Sequence, residues 1–324
     1  MRVGIYSDLR NPSLWRRPWP GVYARGLEVV QNAESAGADS IWLSEHHFFD
    51  DGYLPQPLTF AAAIAARTRR VRIGTAVLIA PLRAAVEIAE NASLVDLISD
   101  GRMELGLGAG YRVPEFEAFG ADVRTRFAAT DALAKEVRRL LQEGGVSPPP
   151  VQQRLPIWMG YSSAAGARRA GRLGEGLLVI NPRLLEPYRL GMSDAGHDPK
   201  AARMAGALNL VLADDPEAAW ARIKPHLAYQ SRSYQLYAVE GTGVSPDDAV
   251  DPEILRATGG NVRFTPRFHL LTVETGIEFV KNAVAGLPVT DVFFWSSIAG
   301  MDYDLVDRHV ELVSRELRPA LAEL

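Results

Sequence analysis

Cysteine is absent from the 324 residues, which removes disulfides, thiolate metal sites and a thiol nucleophile together. Lysine occurs only at Lys135, Lys200, Lys224 and Lys281, in segments that read as helix or loop, so no strand end offers an amine for Schiff-base chemistry. No apolar run nears the roughly 18 residues of a membrane span. The N-terminal MRVGIYSD carries no charged-then-apolar leader, so no membrane partner is expected and cytoplasm is the default location. A formal net charge of -4 with scattered arginines makes no basic stripe, which speaks against nucleic acid as a partner. His197, His226, His269 and His309 fall in loops and helices, so no converging metal-ligand set is expected. What remains is histidine, carboxylates and hydroxyls, or reactivity borrowed from an organic cofactor.

What the chain does have is alternation. Strand-like segments at 2–7, 40–45, 71–80, 102–108, 156–161, 176–181, 205–213 and 289–297 are separated by helix-periodic ones at 22–37, 57–68, 84–99, 125–143, 163–174, 183–191, 216–240 and 270–285, with a last helix over 303–322. Eight strands in such an alternation predict an α/β fold closed as a TIM (β/α)8 barrel. An open doubly wound sheet would bring a Gly-rich nucleotide turn after its first strand, where this chain reads SDLRNPSLW. One domain over 1–324 is expected. The polar, Gly/Pro-rich stretch 240–268 is an insertion between strands seven and eight, either a lid on the active-site face or a solvated insertion without a role.

Barrel enzymes carry their chemistry at the C-terminal ends of strands. The second strand runs through SIWLSE into His46 and His47. Strand alternation puts Trp42, Ser44 and His46 on one face and Ile41, Leu43, Glu45 and His47 on the other, so one imidazole faces the mouth and its neighbour packs outside. After the fifth strand, Gly160, Ser162 and Ser163 open a helix; such a turn binds a phosphate or serves only as an N-cap. LGLGAGY (105–111) ends the fourth strand with three glycines, which permit close approach of a flat ring or phosphate. The end of the third strand is small and apolar, the floor of a dry pocket or plain barrel core. Tyr111 and Tyr161 orient a ring or lie at the rim. Trp15, Trp19, Phe48, Tyr53 and Trp295 suit an apolar substrate, a core or an interface equally.

Taken together, SEHHF, VRIGTAVLIAP, ENASLVDLISDGRMELGLGAGY, EFEAFG, PIWMGYSS and VTDVFFWSS resemble the bacterial luciferase-like flavin-dependent monooxygenase family over nearly the whole chain. The resemblance implies a TIM barrel, a homodimer, and reduced FMN lying across the strand ends. It implies that His46 is the catalytic histidine, that a non-proline cis peptide falls at Ala76–Val77 beneath the isoalloxazine, and that Ser162 and Ser163 hold the phosphate. Gly108, Tyr111, Gly160 and Tyr161 complete the expected cofactor site. Bacterial luciferase has a Cys-Arg pair where this chain reads Gly108-Ala109, so light emission is not expected and Arg112, Arg168 or Arg183 takes the place of that arginine. The chain shows no second nucleotide site for NAD(P)H, so reduced FMN is expected from a separate flavin reductase, to react with O2 and oxidise a small apolar organic substrate. A deazaflavin-dependent hydride-transfer enzyme on the same barrel, and a flavin-binding protein without turnover, are the alternatives.

Overall fold

The computed structural model describes residues 1–249, 251–258 and 268–322. Its strands are β1 (Arg2–Ser7), β2 (Ser40–Leu43), β3 (Arg72–Thr75), β4 (Leu78–Ile79), β5 (Met103–Gly108), β6 (Ile157–Met159), β7 (Gly176–Leu177), β8 (Met204–Ala207), β9 (Leu210–Leu212), β10 (His269–Leu271) and β11 (Val289–Trp295). Every pairing is parallel. The order β3-β2-β1-β11-β8-β7-β6-β5-β4, with β3 also against β5, closes a ring. The segment expected as one strand over 71–80 is two, parted by a cis peptide at Ala76–Val77. Counted as one stave, β3 and β4 bring the total to the eight of a (β/α)8 barrel.

The helices that cover the ring are α1 (Trp19–Ala36), α2 (Pro57–Arg67), α3 (Ala85–Ser99), α4 (Val113–Ala118), α5 (Arg126–Gln142), α6 (Ala164–Leu173), α7 (Leu185–Asp194), α8 (Pro216–Val239), α9 (Pro252–Thr258), α10 (Val273–Val284) and α11 (Tyr303–Glu311). Local chemistry sets their ends. Ser163 caps α6 by accepting from the Gly166 N–H, and Gly174 closes that helix at φ 68°, a conformation that favours glycine. Asp215 caps α8 by accepting from the N–H groups of Glu217 and Ala218. The final helix is not uniform: α11 passes through a π-type turn at Leu312–Leu317 into a last turn, α12 (Arg318–Leu321).

The barrel interior is layered. At the N-terminal end of the staves, Glu104 accepts from Trp158 Nε1 at 2.7 Å and is paired with Arg2 and Arg72, while Asp291 takes a two-pronged bond from Arg2 at 2.8 and 2.7 Å. These buried charges are paired, as burial demands. Above them Trp42 stacks on Phe293 at 4.7 Å and meets Trp158 edge-on at 6.3 Å. The two indoles fit because Gly74 and Gly176 face them: a Cβ at either glycine would lie 2.3 Å from a ring atom. A third layer begins with Tyr6, and above it lies open space.

Two expectations are corrected. The apolar run 205–213 is not one strand, because the chain leaves the barrel at Leu208-Asn209, where the Asn209 carbonyl accepts from the His269 N–H at 2.9 Å. β9 then pairs with β10 in a separate two-stranded sheet, so the segment expected to begin a helix at 270 is a strand first. In the insertion, described residues lie along α8: Glu253 accepts from Trp220 Nε1 at 2.9 Å and from Lys224 at 2.8 Å, and Arg232 donates to the Asp247 carbonyl at 2.6 Å. The lid expected over 240–268 falls in part on Val250 and residues 259–267, which lie outside the described residues. Among the described residues no helix is long and apolar enough to cross a membrane, and no group of three or more His, Asp or Glu is placed to hold a metal ion.

Candidate active site

A cavity of about 620 Å³ opens at the C-terminal ends of the staves, a size suited to a cofactor or small-molecule ligand. His46, Ala76, Val77, Gly108, Tyr111, Gly160, Tyr161, Ser162 and Ser163 all line it, so these nine residues are brought to one place. Tyr53 and Trp295 line it too, whereas Trp15, Trp19 and Phe48 do not. Trp15 packs on His226 at 4.0 Å, Trp19 lies against Gly52, and Phe48 is exposed.

The alternation argument for the two histidines fails in its detail. β2 ends at Leu43, so Glu45 and His46 both reach the cavity while His47 turns away. His47 Nε2 contacts Glu45 Oε1 at 2.7 Å, and the same carboxylate pairs with Arg83 at 2.6 Å and accepts from the Ile79 N–H at 2.7 Å. His47 is thus a fixed packing residue, which satisfies the buried carboxylate rather than the cavity. His46 is held through its other edge. Its Nδ1 lies 2.9 Å from Glu115 Oε1, which also accepts from the His47 N–H at 2.8 Å. With Nδ1–H donating to Glu115, Nε2 carries the lone pair and accepts from the Tyr111 hydroxyl at 3.2 Å. The ring is stacked on Phe49 at 4.7 Å and meets Tyr53 edge-on at 4.8 Å.

Burial pushes the phenols of Tyr6, Tyr53, Tyr111 and Tyr234 above the ordinary tyrosine range, so at neutral pH they are donors and not bases. Tyr6 spends its proton on the floor, donating to the Ala76 carbonyl at 2.6 Å. Val77 sits beside Ala76, and its side chain explains two of the glycines. A Cβ on Gly108 would lie 2.2 Å from Val77 Cγ2, and one on Gly160 2.5 Å from Val77 Cγ1. These glycines therefore seat the floor residue before they admit any ligand.

Beneath the loop that carries His46, Arg10 is buried, with Nε donating to Asp51 at 2.6 Å and Nη2 to Ser233 Oγ on α8. Phe49, Tyr53, Tyr229 and Tyr234 surround its guanidinium at 5.4 to 5.7 Å, close enough for cation–π attraction. Burial pushes the neighbouring Asp8 carboxyl up to about 7, against the opposing effect of Arg10.

At the far end of the cavity, Ser162 and Ser163 are exposed at the lip. The first-turn N–H groups of α6 at Ala164 and Ala165 have no partner inside the helix. None of Arg112, Arg168 and Arg183 lines the cavity. Arg112 is taken up by Glu240 at 3.0 Å and the His47 carbonyl at 2.6 Å, Arg168 by Asp194 at 2.8 Å, and Arg183 is exposed on the turn capped by Asn181. Among the described residues, the cation at the cavity is Arg126, which opens α5. Its Nη1 donates to the Val123 carbonyl at 2.8 Å, and its buried Nε has no partner. Tyr161 turns its hydroxyl away, to Asp131 at 2.7 Å.

Glu115 and Arg126 were not singled out from the sequence. Glu115 stands in EFEAFG, where it reads as a solvated helix carboxylate, and Arg126 at a helix start reads as an ordinary surface cation. A carboxylate one helix past a Gly-rich strand end was the available signal for Glu115.

A family model described as luciferase-like monooxygenase matches residues 1–267. Over 183 residues the chain is 30% identical to the F420-dependent glucose-6-phosphate dehydrogenase of Amycolatopsis mediterranei, covering 50% of this chain and 55% of that protein. Over 112 residues it is 32% identical to the oxygenase component of the flavin-dependent trigonelline monooxygenase of Acinetobacter baylyi, covering 32% and 31%. The chain thus spans about half the length of the former relative and about a third of the latter. The crystal structure of a monooxygenase from Streptomyces bottropensis superposes with a TM-score of 0.80 at 24% identity, over 98% of this chain and 99% of that one, a likeness of fold.

Proposed function

Because the chain belongs to the luciferase-like monooxygenase family, we propose that it is a flavin-dependent oxidoreductase, and specifically the oxygenase of a two-component system that takes reduced FMN from a separate reductase. The observation that carries this reading is His46, held by Glu115 at Nδ1 with Nε2 directed to Tyr111 beside an apolar floor. The residues fit such a cofactor. Ala76 and Val77 would hold the ring, while Ser162, Ser163, the free amides of α6 and the unpartnered Arg126 Nε would hold its phosphate.

When bound, reduced flavin supplies the two electrons for O2 activation and oxidation of an organic substrate. The chain's own residues do the rest. Glu115 keeps the Nδ1–H tautomer of His46, so that Nε2 takes up or delivers a proton at the cavity. Tyr111 remains protonated and donates to that nitrogen until it is needed. The buried aromatic lining excludes water that would divert the reaction.

The F420-dependent relative favours a second reading, hydride transfer with a deazaflavin on the same barrel. Titration with FMN and with a deazaflavin, followed by O2 uptake on reduction, separates the two. The proposal expects FMN binding, O2 uptake, and O2-dependent substrate oxidation that falls at least about 100-fold in His46→Ala, the range of a lost acid–base residue. Deazaflavin binding with hydride transfer and no O2 uptake would replace it. The second partner is another copy of this chain, covering the exposed Leu94, Leu97 and Ile98 on the last turns of α3, large apolar side chains of the kind that mark an interface.

A further inference from the structure

The wall of the cavity made by α8 is polar where the floor is apolar. Gln230 accepts from the Ala299 N–H through Oε1 at 3.1 Å, which fixes the orientation of an amide that lines the cavity. Ser231 Oγ is buried with no partner, although a helical serine usually bonds back to the carbonyl one turn earlier. Both residues line the cavity, as does Tyr234, whose hydroxyl pairs with that of Tyr53 at 3.0 Å. One turn beyond Ser231, Gln235 is buried with neither amide atom partnered. A buried donor without an acceptor is costly unless something else supplies one. Trp295, Tyr53 and Phe268 also line the cavity, and an aromatic lining suits a planar ring better than a flexible chain.

We propose that this wall selects the substrate, and that the substrate is an aromatic ring system bearing a phenolic or carbonyl oxygen, received by Gln230 Nε2 and Ser231 Oγ. The inference rests on the oxidoreductase reading of the same cavity. It places the reactive part of the ring toward His46, since Tyr53 and Tyr234 adjoin both the wall and the imidazole.

Equilibrium dialysis of the full chain, with and without FMN, tests it with naphthalene, 2-naphthol and decanal. 2-Naphthol should bind about tenfold more tightly than naphthalene, the value of one or two well-made hydrogen bonds, and more tightly than decanal. Gln230→Met removes the amide donor at nearly the same side-chain length without offering a new acceptor to the phenol O–H, and it should abolish the preference. Ser231→Ala, a smaller change that leaves the helix intact, should reduce it. Equal binding of naphthalene and 2-naphthol, tighter binding of decanal, or a preference unchanged in both variants overturns the proposal. FMN affinity read in the same samples keeps the two readings apart. Flavin binding without the preference sinks this inference alone; the preference without binding of FMN or a deazaflavin sinks the cofactor reading and with it the assignment of the bound ring as a substrate.

Discussion

Removing the Glu115 carboxylate should unmoor His46, and the size of the effect follows from what that side chain holds. Glu115 is fully buried, and its Oε1 takes both the His46 Nδ1–H at 2.9 Å and the His47 N–H at 2.8 Å. Hydrogen bonds to a charged group contribute about 1.5 to 3 kcal/mol each, so Glu115→Ala should lose about 3 to 6 kcal/mol of stability in chemical denaturation. Glu115→Gln keeps one oxygen for both donors and should lose about half as much, the charge-assisted share. Activity should separate the variants further. Glu115→Ala frees the imidazole to adopt either tautomer and should lower kcat/KM by about 100-fold or more; Glu115→Gln, which keeps the Nδ1–H form, should lose only about 10-fold. Nitrogen-15 chemical shifts of His46 provide a signature that a purely structural role would not move: Nδ1 protonated in the parent and in Glu115→Gln, mixed in Glu115→Ala. Equal losses of activity in the two variants, or an unchanged tautomer in Glu115→Ala, would refute the assignment of Glu115 as the residue that positions His46.

Gly108→Ala should displace Val77, since the added Cβ would lie 2.2 Å from Val77 Cγ2; the expected cost is about 1 to 3 kcal/mol with weakened flavin binding, and Val77→Ala in the same chain should restore both. An unperturbed single variant would show that the floor is not packed as described. His309 predicts a pH dependence. Burial pushes its imidazole down to about 4 while its Nδ1 accepts from the Leu212 N–H and its Nε2 donates to the Trp295 carbonyl. The unfolded chain takes up the proton near 6.5 and the folded one only near 4, so this contribution is complete above about 6.5 and lost as pH falls toward 4. At 1.36 kcal/mol per unit, the span amounts to about 3 kcal/mol. Denaturation of the parent and of His309→Gln at pH 7.5 and pH 4.5 should show a gap that narrows at the lower pH; a constant gap would refute it. Leu94→Asp with Ile98→Asp should give a monomer by sedimentation if a second copy covers α3, and unchanged mass would exclude that face.

The barrel was legible because its signal is long-range and redundant: the alternation needs no single strand to be placed well. The placement of His46 at the cavity was legible for a related reason, since a barrel gathers its strand ends at one mouth whatever the exact boundary. Where the reading failed, the information was not in the local pattern. AGALNLVLA is apolar except for Asn209, and one polar residue does not show by itself that the chain changes sheets there; its partner, Trp295 Nε1 at 3.0 Å, lies 86 residues away. HLL at 269–271 is too short and too near a helix to read as a strand. Strand alternation mislocated Glu45 because β2 stops at Leu43. Glu115 and Arg126 stand on helices, where charged residues are normally solvated, and only tertiary contacts show one to be buried and the other to reach the cavity.

Arg10 ties Asp51, in the loop that carries His46, to Ser233 on α8. The chemistry and the recognition wall are therefore fastened to one rivet, although they come from segments nearly two hundred positions apart. Leu227, Gln230 and Ser231 lie outside that fastening, so new substrates can be acquired by exchanging those three while the imidazole stays in register. Changes at Ser233 or Tyr234, by contrast, would reach the proton-handling machinery with every attempt to alter selectivity.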